Sequence, residues 1–201
     1  MEHVIDRDPT VVFISETWLK SDTNDVTSLV KDYGYMLHHN RRKNRRKEGG
    51  GGVGILLKTC VKFKKINYKQ FSSFEHTIIQ VPVTNRSNVL LISIYRVLFV
   101  PVSDFLHDIV TLFEMLVTTK ENFILAGDVN IHMDEDGDTY TNKFKDILDS
   151  FNMIQHIDFP THIQGHTLDV IVTFQDGPSI SSITTAVKKS SKSTYNNTRA
   201  V

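Results

Sequence analysis

The sequence predicts a layered α/β (α+β) domain. Short apolar runs rich in β-branched residues recur along the chain, and segments with helical apolar spacing lie between them. A hydrophobic content of 40% in 201 residues is enough for one sizeable core.

The first run, Val11 to Ile14, is flanked by polar residues and reads as a buried strand. Val26 to Lys31 suits a short helix. Val53 to Leu57, Thr77 to Val83 and Val89 to Tyr95 follow as further strands, each with turn residues at its flanks. After Pro101, with Ser103 as a candidate cap, Phe105, Leu106, Ile109, Leu112, Phe113 and Leu116 recur on one helical face. Phe123 to Ala126 is the next strand. Phe144, Ile147, Leu148 and Phe151 mark a second helix that ends before Pro160, and Leu168 to Phe174 is the last strong strand. From Ser179 the chain turns to Ser, Thr, Lys and Asn, a composition that suits a disordered tail. The expected organisation is one domain over residues 1–178 and a divergent tail over 179–201.

Lys+Arg and Asp+Glu each total 23, so net charge selects no partner. Charge placement is more informative. Arg41, Arg42, Lys43, Arg45, Arg46 and Lys47 form a basic run that is either a solvated linker or a phosphate-contacting loop. Asp134, Glu135, Asp136 and Asp138 form an acidic one. Cys60 is the single cysteine, which excludes an internal disulfide partner and any multi-cysteine zinc site. Met1 to Thr10 has no apolar stretch of signal-peptide kind, and no run approaches the ~20 residues that span a bilayer. The expectation is a soluble intracellular protein, neither secreted nor in a membrane.

Four stretches carry chemistry. In Phe123-Ile-Leu-Ala-Gly-Asp-Val-Asn130 an apolar strand delivers Asp128 and Asn130, two residues apart, at its end. Phosphodiester hydrolysis uses a carboxylate to orient water or hold a hard cation, and a neutral donor for a phosphate oxygen. A plain strand ending in an Asx turn fits the same residues. Glu16 follows the Val11 strand directly, where a carboxylate meets others arriving from neighbouring strand ends. Tyr95 and Arg96 close an apolar strand. Asp169 lies between Leu168 and Val170, where an unpaired carboxylate is costly to bury.

Together these stretches resemble the endonuclease/exonuclease/phosphatase superfamily, in order and spacing. The pattern is Glu16-Thr17-Trp18-Leu19, the Gly-rich run into Val53-Gly54-Ile55, Phe71 to Glu75, Tyr95-Arg96, Gly127-Asp128-Val129-Asn130, and Pro160-Thr161-His162 before Gly165-His166-Thr167-Leu168-Asp169. The chain is most similar to the apurinic/apyrimidinic-type endonuclease domain of LINE-type retrotransposons, over roughly Pro9 to Ile183. The resemblance implies a four-layer sandwich, two packed mixed β-sheets flanked by helices. It also implies a nicking endonuclease for double-stranded DNA, nuclear when functional, that uses magnesium or manganese. Glu16 would bind the cation, and Tyr95 would donate to the phosphoryl group. Asp128 would position or activate water, Asn130 would hold a phosphate oxygen, and Asp169 would orient a histidine. Arg96, Arg41 and Arg42 would contact nucleic acid.

The chain departs from that pattern in three places. The family's opening strand, with its asparagine, has no counterpart before Val11, and no histidine follows Asp169. Val97-Leu98 stands where a Pro pair is usual. These departures imply a copy truncated at both ends, weak or inactive, with a non-catalytic nucleic-acid-binding remnant as the alternative. His132 is the first candidate to replace the missing imidazole. Gly49, Gly51 and Gly54 fit a dinucleotide pattern, but no strand precedes them and no helix follows. The acidic run lacks a calcium loop's closing Glu, because Lys143 stands there. His156, His162 and His166 read as ordinary loop histidines.

Overall fold

The computed structural model describes residues 6–19, 24–41, 51–84, 87–180, 182–186 and 196–200. The elements are β1 (Val11–Ser15), α1 (Asn24–Asp32), β2 (Tyr35–Asn40), β3 (Val53–Lys58), β4 (Lys64–Ile66), β5 (Phe74–Thr84) and β6 (Ser87–Arg96). They continue with α2 (Val102–Thr119), β7 (Asn122–Asp128), α3 (Thr139–Ser150), β8 (Met153–Gln155), β9 (Asp169–Phe174), β10 (Ser182–Ala186) and β11 (Asn196–Ala200). One sheet has three strands in the order β1-β3-β2, and a second has six in the order β4-β5-β6-β7-β9-β8. Among the described residues no helix is long and apolar enough to cross a membrane.

The alternation of side chains along each strand builds the layers. On β6, Leu90, Ile92 and Ile94 enter one core with Phe105, Ile109, Phe113 and Leu116 of α2 and with Phe144 of α3. The intervening Leu91 faces the other way and joins Ile55 and Leu57 of β3, with Val11 and Phe13 of β1 packed alongside. Beyond the smaller sheet, Val30 of α1 packs on Tyr35 and Leu56. The stack is therefore α1, three-stranded sheet, six-stranded sheet, then α2 and α3. The expected four-layer sandwich is the observed architecture.

Several boundaries differ from expectation. The α2 helix starts behind Pro101 with no side-chain cap bond, and Ser103 lies inside it. The Asp104 amide, which a hydroxyl cap would serve, donates instead to the Pro101 carbonyl at 3.1 Å. The α3 helix is capped by Asp138, whose carboxylate accepts from the Tyr140 and Thr141 amides. The sequence Tyr-Met-Leu-His-His-Asn was not anticipated as β2. It forms an edge strand, so only alternate residues need be apolar.

β1 is also an edge strand among the described residues, because it pairs only with β3. After Ser179, β10 pairs antiparallel with β11, and Ile183 is buried. Residues 187–195, like most of the basic run from Arg42 to Gly50, lie outside the described residues.

Candidate active site

Strand parity brings the chemistry to one rim. On β6, Leu91, Ser93 and Tyr95 share the face toward the small sheet. On β7, Ile124, Ala126 and Asp128 share it, and on β9 Asp169 and Ile171 do. The register then aligns the strand ends. Glu75 is opposite Tyr95, Tyr95 is opposite Asp128, and Asp128 is opposite Asp169. Four polar residues on four adjacent strands thus form one row, with ~4.8 Å between neighbouring strands. Glu16 reaches this row from the other sheet, where its Oε1 accepts from the Tyr95 hydroxyl at 2.6 Å.

Gly127 makes the row possible. Its φ is 151°, and a Cβ there would lie 1.9 Å from the Ile94 carbonyl oxygen. Only glycine lets β7 approach β6 this closely one residue before Asp128. Glu16 and Trp18 follow β1 with φ of 53° and 54°, a conformation that costs non-glycine residues energy. Two backbone bonds hold that turn: the Thr17 amide donates to Gly52 O and the Trp18 amide to Gly51 O, both at 3.0 Å. The Gly52 amide in turn donates to the Glu75 carboxylate. Gly51 and Gly52 therefore hold the turn that carries Glu16.

The carboxylates are electrostatically stressed. Burial pushes the Asp128 carboxyl up to about 7, the neighbouring charges of Asp169 and Glu16 push the same way, and the Asn130 amide and Arg96 oppose them. Burial also raises Asp169, against a hydrogen bond from Thr161 and the charge of His162. A buried Asp128 that feels the charges of Asp169 and Glu16 at a strand-end rim belongs to a donor set that fits a hard divalent cation, whose charge would relieve that repulsion.

Asn130 does not continue the strand. Its φ is 50°, its amide N–H donates to Asp128 Oδ1 at 2.8 Å, and its side-chain Nδ2 donates to the Arg96 carbonyl at 2.9 Å. The Asx turn is therefore real, and it sits within the converged cluster. One hydrogen of the Asn130 amide group remains for another acceptor.

Arg96 departs from its expected role at a nucleic-acid face. It is 4% exposed, and its guanidinium donates to the carbonyls of Val129, Asn130 and Val100 at 2.6, 2.8 and 3.1 Å. A fork committed to three carbonyls acts as an internal clamp on the loop that carries Asn130. Arg41, by contrast, is exposed. It follows Asn40, and Asn40 and Ser15 both pair with Val53, so Arg41 and Glu16 leave the small sheet at the same end. Arg42 lies outside the described residues.

Three positioning groups escaped the sequence reading. The Ser15 hydroxyl accepts from the Asp128 amide at 3.2 Å, joining β1 to β7. Thr161 is buried, and its Oγ1 accepts from the Leu168 and Asp169 amides at 3.0 and 3.1 Å. Glu75 closes the row. A hydroxyl so far away in sequence leaves no local signal; Thr161 and Glu75 gave a hint, through their places in the Pro160-Thr161-His162 and Phe71 to Glu75 stretches. His132, the candidate replacement imidazole, pairs its Nδ1 with Glu135 Oε1 at 2.8 Å and stacks its ring on His166.

A sequence model of the Endonuclease/Exonuclease/phosphatase family matches residues 2–185. No curated protein matches the chain significantly. Among solved structures, the endonuclease domain of TRAS1, a telomere-specific non-LTR retrotransposon, aligns at 14% identity with a TM-score of 0.63. That alignment covers 87% of this chain and 76% of the other. ANGEL2, a 2',3'-cyclic phosphatase, aligns at 10% identity with a TM-score of 0.63, covering 88% and 72%. A mannosyl-6-phosphatase from Bacteroides thetaiotaomicron aligns at 12% identity with a TM-score of 0.59, covering 99% and 84%. At these identities the likeness is one of fold.

Proposed function

Because the chain belongs to the endonuclease/exonuclease/phosphatase family, we propose that it is a weak nicking endonuclease for double-stranded DNA, of retrotransposon origin, that uses magnesium or manganese. Members of this family are generally dependent on a divalent metal. The observation that carries the reading is the row Tyr95, Asp128 and Asp169, with Glu16 bonded to Tyr95 from the opposite sheet.

Each residue has a part that its surroundings support. Glu16, with Asp128 and Asp169 nearby, would hold the cation. A bound divalent cation supplies charge neutralisation at the phosphate and a more acidic water. Asp128 titrates near neutrality, so its carboxylate is suited to orient a water molecule and accept its proton. The Tyr95 hydroxyl is suited to donate to a phosphoryl oxygen, and the second Asn130 amide hydrogen to another. Arg41 would add affinity without sequence choice. Trp18 and Phe99 are 61% and 90% exposed and follow Glu16 and Arg96 closely in the chain, so both offer faces for base stacking. Those aromatic faces favour a nucleic acid over a small phosphate ester.

The family resemblance pairs Asp169 with an imidazole at the phosphate, and residues 170–201 contain no histidine for that part; a weak activity is what this departure implies. The second reading, a remnant that binds nucleic acid without cleaving it, rests on the same observation. Supercoiled-plasmid nicking with magnesium or manganese decides between them. Slow nicking that is lost in Asp128→Ala, by ~10²-fold or more, supports the enzyme. DNA binding without cleavage by either form supports the remnant. Cleavage of a 2',3'-cyclic phosphate with no nicking would move the substrate class away from DNA.

A further inference from the structure

We propose that His132, Glu135 and His166 form a second metal site, for a borderline divalent transition metal such as zinc, which clips the loop after β7 to the loop before β9. The site is separate from the carboxylate rim and does not depend on the hydrolase reading.

The geometry carries the argument. One ligand atom from each of the three residues can be chosen so that all lie within 4.8 Å of one another. Glu135 Oε1 lies 2.8 Å from His132 Nδ1. A tetrahedral ion with ~2.0–2.1 Å bonds places its ligands about 3.3 Å apart, so a small closure completes the site. The imidazoles are stacked with centroids 4.1 Å apart. His132 and His166 are 34 residues apart in sequence, so no local spacing reveals the pair.

The surroundings are organised as a metal site requires. Asp134 Oδ2 lies 3.1 Å from His166 Nδ1, and its Oδ1 accepts from the Thr167 amide at 2.8 Å. A carboxylate that holds one imidazole nitrogen fixes the ring and leaves the other nitrogen for an ion. Backbone bonds already align the two loops: Met133 N donates to Thr167 O at 2.9 Å, and Val129 N to Leu168 O at 3.0 Å. The Thr141 hydroxyl donates to the His132 carbonyl at 2.9 Å. Two imidazoles and one carboxylate favour zinc, nickel or cobalt over magnesium, which prefers oxygen donors alone. Because β7 ends at Asp128 and β9 begins at Asp169, an ion here would fix the loops beside both carboxylates.

Cobalt(II) absorption and zinc-dependent melting of the full chain test the site. The metal-free protein is expected to gain the visible bands of a low-coordinate cobalt site with one equivalent, and to melt higher with zinc but not with magnesium. His132→Asn and His166→Gln should each weaken cobalt binding ~10²-fold or more, and Asp134→Asn ~10–100-fold. Circular dichroism of each variant reports whether it is folded. Glu16→Gln with Asp128→Asn should leave the cobalt spectrum in place, which separates this site from the rim even if the chain cleaves nothing. No cobalt bands in the folded wild type, or bands unchanged in the folded His132→Asn and His166→Gln variants, would overturn the proposal.

Discussion

Asp128 and Asp169 face one another directly across the antiparallel β7–β9 pair, and each has its carboxyl pKa raised, chiefly by burial. Two carboxylates at opposed register positions cannot both ionise cheaply in a partly dry rim. The rim therefore stores electrostatic repulsion that a cation or a proton relieves.

The first consequence is a pH dependence of stability in the metal-free protein. Asp128 has a folded pKa of about 7 against an ordinary 3.8, so the folded state holds this proton more tightly than the unfolded chain. Its contribution to stability is full below pH ~4 and is lost as pH rises through 7, and Asp169 acts in the same direction. Melting temperatures in EDTA should fall between pH 5 and pH 8. Asp128→Asn should flatten that fall, and parallel profiles for the two proteins would contradict the assignment.

Tyr95→Phe keeps the ring in the core and removes only the hydroxyl that donates to Glu16. The melting temperature should change little, whereas the nicking rate should drop by ~10²-fold. A large loss of stability with an unchanged rate would reassign Tyr95 to a purely structural part.

Arg96→Met should destabilise strongly. Three carbonyls, those of Val129, Asn130 and Val100, lose their donor inside the protein. The cost is on the order of 3 kcal/mol. Arg96→Lys should recover little of it, because one ammonium cannot reproduce the guanidinium fork. Urea denaturation of the three proteins checks the order wild type, Lys, Met.

Phe99→Ala touches an exposed ring and should leave the melting temperature unchanged. If the ring stacks on a base, DNA binding should weaken by roughly 5-fold or more, since such a stack contributes ~1–3 kcal/mol. Fluorescence anisotropy with a short labelled duplex reads this directly. Equal affinity in the two proteins would remove Phe99 from the interface.

The core strands and the helices were legible because their apolar periods are local, whereas β2, β4 and β8 carry no such period. Val53 to Leu57, Val89 to Tyr95, the Phe105 to Leu116 face and the Asp128 strand end each signal their element within a dozen residues. The motif order carried the family and the four-layer architecture. It also selected Glu16, Tyr95, Asp128, Asn130 and Asp169 as candidates. Tertiary structure alone decided how these residues meet. The register that aligns Tyr95, Asp128 and Asp169 depends on a parallel pairing and an antiparallel pairing between strands far apart in sequence. Arg96 looked like a surface cation because sequence does not show that the loop after Asp128 folds over it and consumes its donors. His132 and His166 looked like separate loop histidines for the same reason. Periodicity reports which face of an element is buried, but which side chains of distant loops touch is set by the packing of the whole sheet.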